Sequence, residues 1–183
     1  ETYNGTPANS LVRLNNDGNP DPIFTFTQLP NFGVIRSIAI QPDGKILLGG
    51  FLSLTRLNTD GSLDNTFSTA IATSFGSFFP FVVDIKLQPD GKIIIAGGFT
   101  AVNGSSRRRI ARLNTDGSTD SGFLTDFSGP GSGEISSILV RPDGKVVLGG
   151  QFSNFIINSE TSKQVNGIVQ LLADGSIDAD FNA

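Results

Sequence analysis

Four segments of the chain restate one phrase: Arg13-Leu14-Asn15-Asn16-Asp17-Gly18, Arg56-Leu57-Asn58-Thr59-Asp60-Gly61, Arg112-Leu113-Asn114-Thr115-Asp116-Gly117 and Gln170-Leu171-Leu172-Ala173-Asp174-Gly175. From Gly18 to Gly61, Gly117 and Gly175 the steps are 43, 56 and 58 residues. A period of this size belongs to architectures built by stacking one unit, and the unequal steps mean loops of variable length. A second phrase alternates with the first: Gln41-Pro42-Asp43-Gly44-Lys45, Gln88-Pro89-Asp90-Gly91-Lys92 and Arg141-Pro142-Asp143-Gly144-Lys145. Each reads as a hairpin turn. Pro presets φ, Asp closes an Asx-type turn, and Gly takes the left-handed conformation that ends a type I turn with a G1 bulge.

Strands are expected on both sides of these turns. Before them, Ile35 to Ile40, Val82 to Leu87 and Ile135 to Val140 place apolar residues in an interrupted alternation (strand a). After them come Ile46-Leu47-Leu48-Gly49-Gly50, Ile93-Ile94-Ile95-Ala96-Gly97 and Val146-Val147-Leu148-Gly149-Gly150 (strand b), continuous apolar runs that suit a strand covered on both faces. The Arg-Leu-Asn segment is strand c, and a short piece ending in Phe24, Phe67, Phe123 or Phe181 is strand d. The order is c-d, then a-b-c-d three times, with no room for a helix of about ten residues.

Four short strands cannot cover both faces of their own sheet, so neighbouring units must supply the cover. The expected fold is all-β: a β-propeller-type repeat of about three and a half four-stranded blades. The blades divide as 1–24 (a half blade, strands c-d), 25–67, 68–123 and 124–183. The small end of strand b, Gly or Ala followed by Gly, is expected where adjacent blades crowd together. Closed propellers hold about 4 to 8 blades, so the ring is expected to be incomplete as given. Tyr3-Asn4-Gly5 matches the b-c loop Val102-Asn103-Gly104, which places the first residues inside a blade. The partners expected are the remaining blades, from a longer chain or from another copy.

The phrases Pro-Asp-Gly-Lys, Gly-Gly-x-Phe, Asn-Gly and Arg-Leu-Asn-x-Asp-Gly-Ser-x-Asp-x-x-Phe closely resemble the delta-60 repeat, a bacterial propeller-like repeat family, with residues 89–123 fitting best. The resemblance covers essentially the whole chain. It implies a large bacterial surface or secreted protein carrying such repeats in arrays, with no agreed activity and no catalytic residues to carry over. Two places depart from the pattern: the b-c loop is shortened at Leu52 to Thr55, and Gln170-Leu171-Leu172 stands where Arg-Leu-Asn recurs.

Composition excludes several functions. The net charge of -4 argues against a nucleic-acid footprint. No apolar run reaches the length of a membrane helix, so no membrane insertion is expected. With no His and no Cys, a His-dependent triad, a thiol nucleophile and the commonest zinc sites are ruled out. Of 14 Asp, 11 fall in the repeat phrases, where backbone geometry demands them. Asp84, Asp126, Asp180, Glu134 and Glu160 are left, and no spacing among them selects a carboxylate pair for glycoside cleavage.

Three other patterns invite a function. Asn58, Asp60 and Asp64 resemble the middle of an EF-hand loop, a calcium alternative to the Asx-stabilised hairpin, but Arg56 and Phe67 occupy its two acidic ends. Arg107-Arg108-Arg109, with Arg112 nearby, is the only basic cluster: it either contacts an anionic polymer or, because an extended strand sends alternate side chains to opposite faces and splits it, is a solvated face of strand c. Phe75, Phe78, Phe79 and Phe81 form the least repeat-like segment, in the connection between two blades. They either fill a seam or expose an apolar patch for a partner or a sugar ring.

The expected function is a non-enzymatic structural or adhesive module of a bacterial cell-surface or secreted protein, without cofactor. The alternatives are a lectin-like propeller that binds surface glycans, and a fragment of a polysaccharide-acting enzyme in which Glu134 would be the first residue to test.

Overall fold

The computed structural model describes residues 2–3, 5–7, 10–27, 33–72, 79–124, 129–131, 133–156 and 162–181. No helix occurs among them. Three antiparallel sheets of three strands follow one another: β1 (Ile35–Ile40), β2 (Ile46–Gly50) and β3 (Leu54–Leu57); β4 (Val82–Leu87), β5 (Ile93–Gly97) and β6 (Ile110–Leu113); β7 (Glu134–Val140), β8 (Val146–Gln151) and β9 (Ile168–Leu171). In each the second strand is central.

The turns form as their residues dictate. The Gly44 amide donates to the Gln41 carbonyl at 2.8 Å and the Gln41 amide to the Lys45 carbonyl at 2.8 Å, with Gly44 at φ 83°. The other two Pro-Asp-Gly turns repeat this arrangement, with φ 83° at Gly91 and 80° at Gly144. A β-bulge sits early in every first strand, between Ile35 and Ser37, Val82 and Asp84, and Ile135 and Ser137. The bulge is the interruption in the apolar alternation, since one extra residue shifts which face its successors meet.

The fourth strand does not form as a strand. One isolated bridge takes its place in each unit: Leu14 with Pro20, Leu57 with Leu63, Leu113 with Thr119 and Leu171 with Ile177. The reason is the following Asp. At Asp64 the carboxylate accepts the Thr66 amide at 3.0 Å and the carbonyl accepts the Phe67 amide at 3.2 Å, so the chain turns away after a single pair. The same carbonyl-to-Phe bond recurs at Asp21, Asp120 and Asp178.

The sheets stack in series, β1 against β4 and β4 against β7. The seams are apolar: Leu47, Leu54 and Phe67 meet Val82, Ile85 and Ile95, and one unit on, Ile94, Ile110 and Phe123 meet Ile138, Val146 and Leu148. Each unit thus has an incoming face, covered by the unit before, and an outgoing face, which covers the unit after. Residues 10–27 precede the first sheet, with Leu11, Phe24 and Phe26 packed on Ile46, Leu48 and Leu57. The array is an open all-β series and does not close into a ring.

The glycines at the end of the second strands serve a closer contact than the seam. A Cβ on Gly50, Gly97 or Gly150 would lie about 2 Å from the carbonyl oxygen of Val34, Phe81 or Glu134, in the first strand's approach to the same sheet. Gly49 is the one that faces the next unit, where a Cβ would meet Val82 Cγ1 at 2.7 Å.

Candidate functional site

The side chains that could carry chemistry are mostly committed to holding units together. The Arg56 guanidinium, almost fully buried, pairs with Asp64 Oδ2 at 2.7 Å, lies 4.7 Å from the Phe67 ring centroid and donates to the Thr115 carbonyl in the next unit. Lys45 adds a second cation to Asp64 at 2.8 Å. Arg112 repeats the set with Asp120, Phe123, Lys92 and the Ala173 carbonyl, and Arg13 with Asp21, Phe24 and the Thr59 carbonyl. In the last unit Gln170 replaces the arginine. Its amide donates to Asp178 at 2.7 Å, and Lys145 lies 2.8 Å from the same oxygen.

These contacts fix the ionisation of the carboxylates. The Lys45 ammonium and then the Thr66 hydroxyl hold the Asp64 carboxyl well below its usual range. Burial alone would raise Asp120, but Lys92, the Gly122 amide and Arg112 together bring it to about 2. Lys145 and Gln170 bring Asp178 to about 2. In the exposed turns, the hydroxyl and amide of Ser62, Ser118 and Ser176 lower Asp60, Asp116 and Asp174.

In this structure the side chains of the calcium alternative bond to other groups of the chain. Two cations already contact Asp64 Oδ2, and Asp60 Oδ1 accepts the amide and hydroxyl of Ser62 at 2.9 and 2.6 Å. Among the described residues no three acidic, His or Cys side chains gather as a metal would require. Nor is the basic cluster a solvated surface, because Arg107 and Arg112 are buried. Of the leftover carboxylates, Asp84 bonds to Lys86 at 2.6 Å and to the Ile138 amide at 2.7 Å, across a seam. Glu134 is exposed at the start of β7, Asp180 is exposed in the last turn, and Asp126 and Glu160 lie outside the described residues. The clefts at the two seams have Arg56 and Arg112 among their lining, already paired with carboxylates.

Among the described residues, an aromatic surface at the first seam stands outside these turns and latches. Phe51 bridges Phe81 across the two units, their rings 5.8 Å apart and tilted by 50°. The exposed Arg36 places its guanidinium 4.5 Å from the Phe51 centroid and 5.0 Å from that of Phe81. The Leu52 amide donates to the Pro80 carbonyl at 2.8 Å, which ties the shortened loop to the segment bearing Phe79. Val34, Leu52 and Phe79 are exposed around the pair, Phe79 by 66%. Phe79 and Phe81 are therefore placed in one patch, half as solvent-facing ring and half as seam. Phe75 and Phe78 lie outside the described residues. Phe51 and Arg36 are additions the sequence did not single out. The available signal was that Phe51 stands where the other units have Gly98 and Gln151.

Serially stacked antiparallel sheets, latched by buried arginines at the two seams between them, define a repeat-built β-propeller module. The family model for a β-propeller domain of unknown function, DUF5122, matches residues 1–24, 41–67, 88–123 and 141–181, and the chain belongs to that family. No curated protein matches the chain. The matched segments contain the turns and latches, whereas Val34, Arg36, Phe79 and Phe81 lie between them.

Proposed function

We propose that the chain is a non-enzymatic adhesive or structural module of a bacterial cell-surface or secreted protein, which meets its ligand through the patch of Arg36, Phe51, Phe79 and Phe81. One observation carries this reading: the repeat carboxylates are engaged by turns and latches, while an exposed ring and a guanidinium held between two others are left free to bind. Apolar patches rimmed by polar groups mark interaction sites. The resemblance to the delta-60 repeat supports the surface or secreted setting, and further blades of the same array are the expected structural partners.

A glycan is the ligand class the patch favours. A sugar's apolar face stacks on an aromatic ring while a planar guanidinium offers paired donors to hydroxyl or carboxylate oxygens. The test is an array of neutral and acidic polysaccharides and of purified surface proteins, probed at high protein density. Retention on at least one surface, lost in Phe79→Ser and Arg36→Ala, supports the reading. No retention anywhere, or retention unchanged in both variants, overturns it. Release of new reducing ends from any polysaccharide would favour the enzyme reading instead, with Glu134→Ala as the first variant.

A further inference from the structure

The chain shows three times over what an arginine stacked on a phenylalanine holds. Arg13, Arg56 and Arg112 place their guanidinium groups 4.8, 4.7 and 4.6 Å from the ring centroids of Phe24, Phe67 and Phe123. Each donates its Nε–H to a carboxylate oxygen, of Asp21 at 2.8 Å, Asp64 at 2.7 Å and Asp120 at 2.7 Å. Arg36 has the rings without the carboxylate. It lies against two phenylalanines, Phe51 and Phe81, and among the described residues no acidic side chain or hydrogen-bond acceptor engages it.

We propose that a ligand carboxylate meets Arg36 as the aspartates meet the other three arginines, and that it belongs to a uronic acid unit of an acidic polysaccharide. This names the ligand class of the patch described above and rests on the reading of that patch as the binding site. Two rings against one guanidinium fix its plane, and a fork fixed in advance loses less freedom when the two oxygens of a carboxylate meet it. The site is particular to the first seam. At the bulges of the other two units Val83 and Ser136 stand where Arg36 does, so neither carries a cation there.

The surroundings select a uronate over other anions. A single guanidinium in a chain of net charge -4 suits one negative charge per unit of ligand and disfavours a phosphate dianion or a multiply sulfated sugar. The cation is bordered by exposed apolar side chains, Leu52 and above all Phe79, two residues before Phe81. A uronate carries its carboxylate on the sugar ring itself, beside a face of C–H groups that stacks on an aromatic ring, so one rigid unit answers both halves of the patch. The carboxylate of an acidic peptide sits on a flexible stem and offers no such face.

The probes are short oligomers of galacturonate, glucuronate and mannuronate, each compared with its own methyl ester, in which the charge is removed and the sugar ring kept. Binding to the full chain is measured by titration calorimetry at two salt concentrations. At least one free acid should bind roughly tenfold or more tightly than its ester, the difference a charge-assisted pair of hydrogen bonds makes, and added salt should weaken the acid alone. Arg36→Gln should erase this preference, and Arg36→Lys should restore only part of it, because an ammonium lacks the planar fork. Phe79→Ser should weaken acid and ester alike. Arg36 and Phe79 are both exposed, so the melting temperature should change little in any of these variants. Equal binding of acid and ester, both lost in Phe79→Ser, overturns the uronate assignment while the patch remains the binding site. A preference that persists in Arg36→Gln overturns it too, as does oligoglutamate bound as tightly as any uronate. Refusal of every free acid also overturns it, and the patch reading falls with it only if neutral polysaccharides and surface proteins are refused as well.

Discussion

The Nη1 of Arg56 donates to the backbone carbonyl of Thr115, 59 residues away in the next unit's turn, while its Nε holds Asp64 at 2.7 Å within its own. One buried cation therefore ties two units together and neutralises the carboxylate that ends the fourth-strand segment.

Breaking this latch should be costly. Arg56→Met leaves Asp64 buried beside the half-buried Lys45 alone, and removing one partner of a buried pair costs about 3–5 kcal/mol. Arg56→Gln copies Gln170, whose amide keeps a bond to Asp178. It should lose the Thr115 link yet retain Asp64, at a cost of roughly 1–3 kcal/mol. Urea unfolding of the two variants checks the order; equal losses would mean that the pairing with Asp64 contributes nothing beyond the link across the seam, which both variants lose.

The same carboxylates determine the response to acid. Asp64, Asp120 and Asp178 have lower pKa values in the folded chain than the roughly 3.9 of an unfolded Asp. The unfolded chain therefore takes up protons first as pH falls. Stability is fully present above about pH 4 and is lost progressively towards about pH 2 and below. The absence of His and Cys leaves no side chain that ordinarily titrates between about pH 5 and 8. Melting temperatures should be flat over that interval and fall steeply below it, and the steepness should lessen in Asp120→Asn.

Much of this fold is legible in the residues because its signals are local. Pro-Asp-Gly sets each turn, the apolar runs set the two strands beside it, and the bulge announces itself as a break in alternation at Ser37, Asp84 and Ser137. The fourth strand was illegible for an equally local reason of another kind: the Asp64 carboxylate competes with strand pairing by capping a turn. The crowding at Gly50 could not be assigned to its own sheet rather than to the seam without knowing how the chain enters β1. The latches were hidden because their acceptors are backbone carbonyls, which carry no side-chain signature. At the aromatic patch the segment bearing Phe79 and Phe81 stood out for not repeating, but Arg36 and Phe51 joined it only through a contact between two units.

Asp84 links three units in the interior, accepting from Ile138 at 2.7 Å and lying 3.4 Å from the Ser37 hydroxyl. Its equivalent in the first unit is Ser37, which accepts the Ile85 amide with a neutral oxygen. Asp84→Ala should leave the Ile138 amide without this acceptor at a cost of about 1–3 kcal/mol. Asp84→Ser should recover part of it. Equal loss in the two variants, by urea unfolding, would show that the charge rather than the seam bond matters.

Gly117 and Gly104 separate backbone strain from seam crowding. Both have positive φ, 91° and 77°, so alanine at either pays for a left-handed backbone, about 1–2 kcal/mol. Around Gly104 a Cβ would meet nothing within 4 Å, whereas at Gly117 it would come within 2.7 Å of Thr69 Oγ1 and 2.9 Å of the Phe67 ring. Phe67 packs in the first seam and Thr69 donates to the Gly117 carbonyl at 3.1 Å, so relief there requires the seam itself to shift. Gly117→Ala should therefore destabilise by at least about 1 kcal/mol more than Gly104→Ala, the range expected for overpacking. It should also speed hydrogen exchange in β4 and β5, across that seam, while Gly104→Ala leaves those strands as protected as before. Matching losses, with exchange unchanged at β4 and β5 in both variants, would mean that the units are joined more loosely than the Phe67 contact implies.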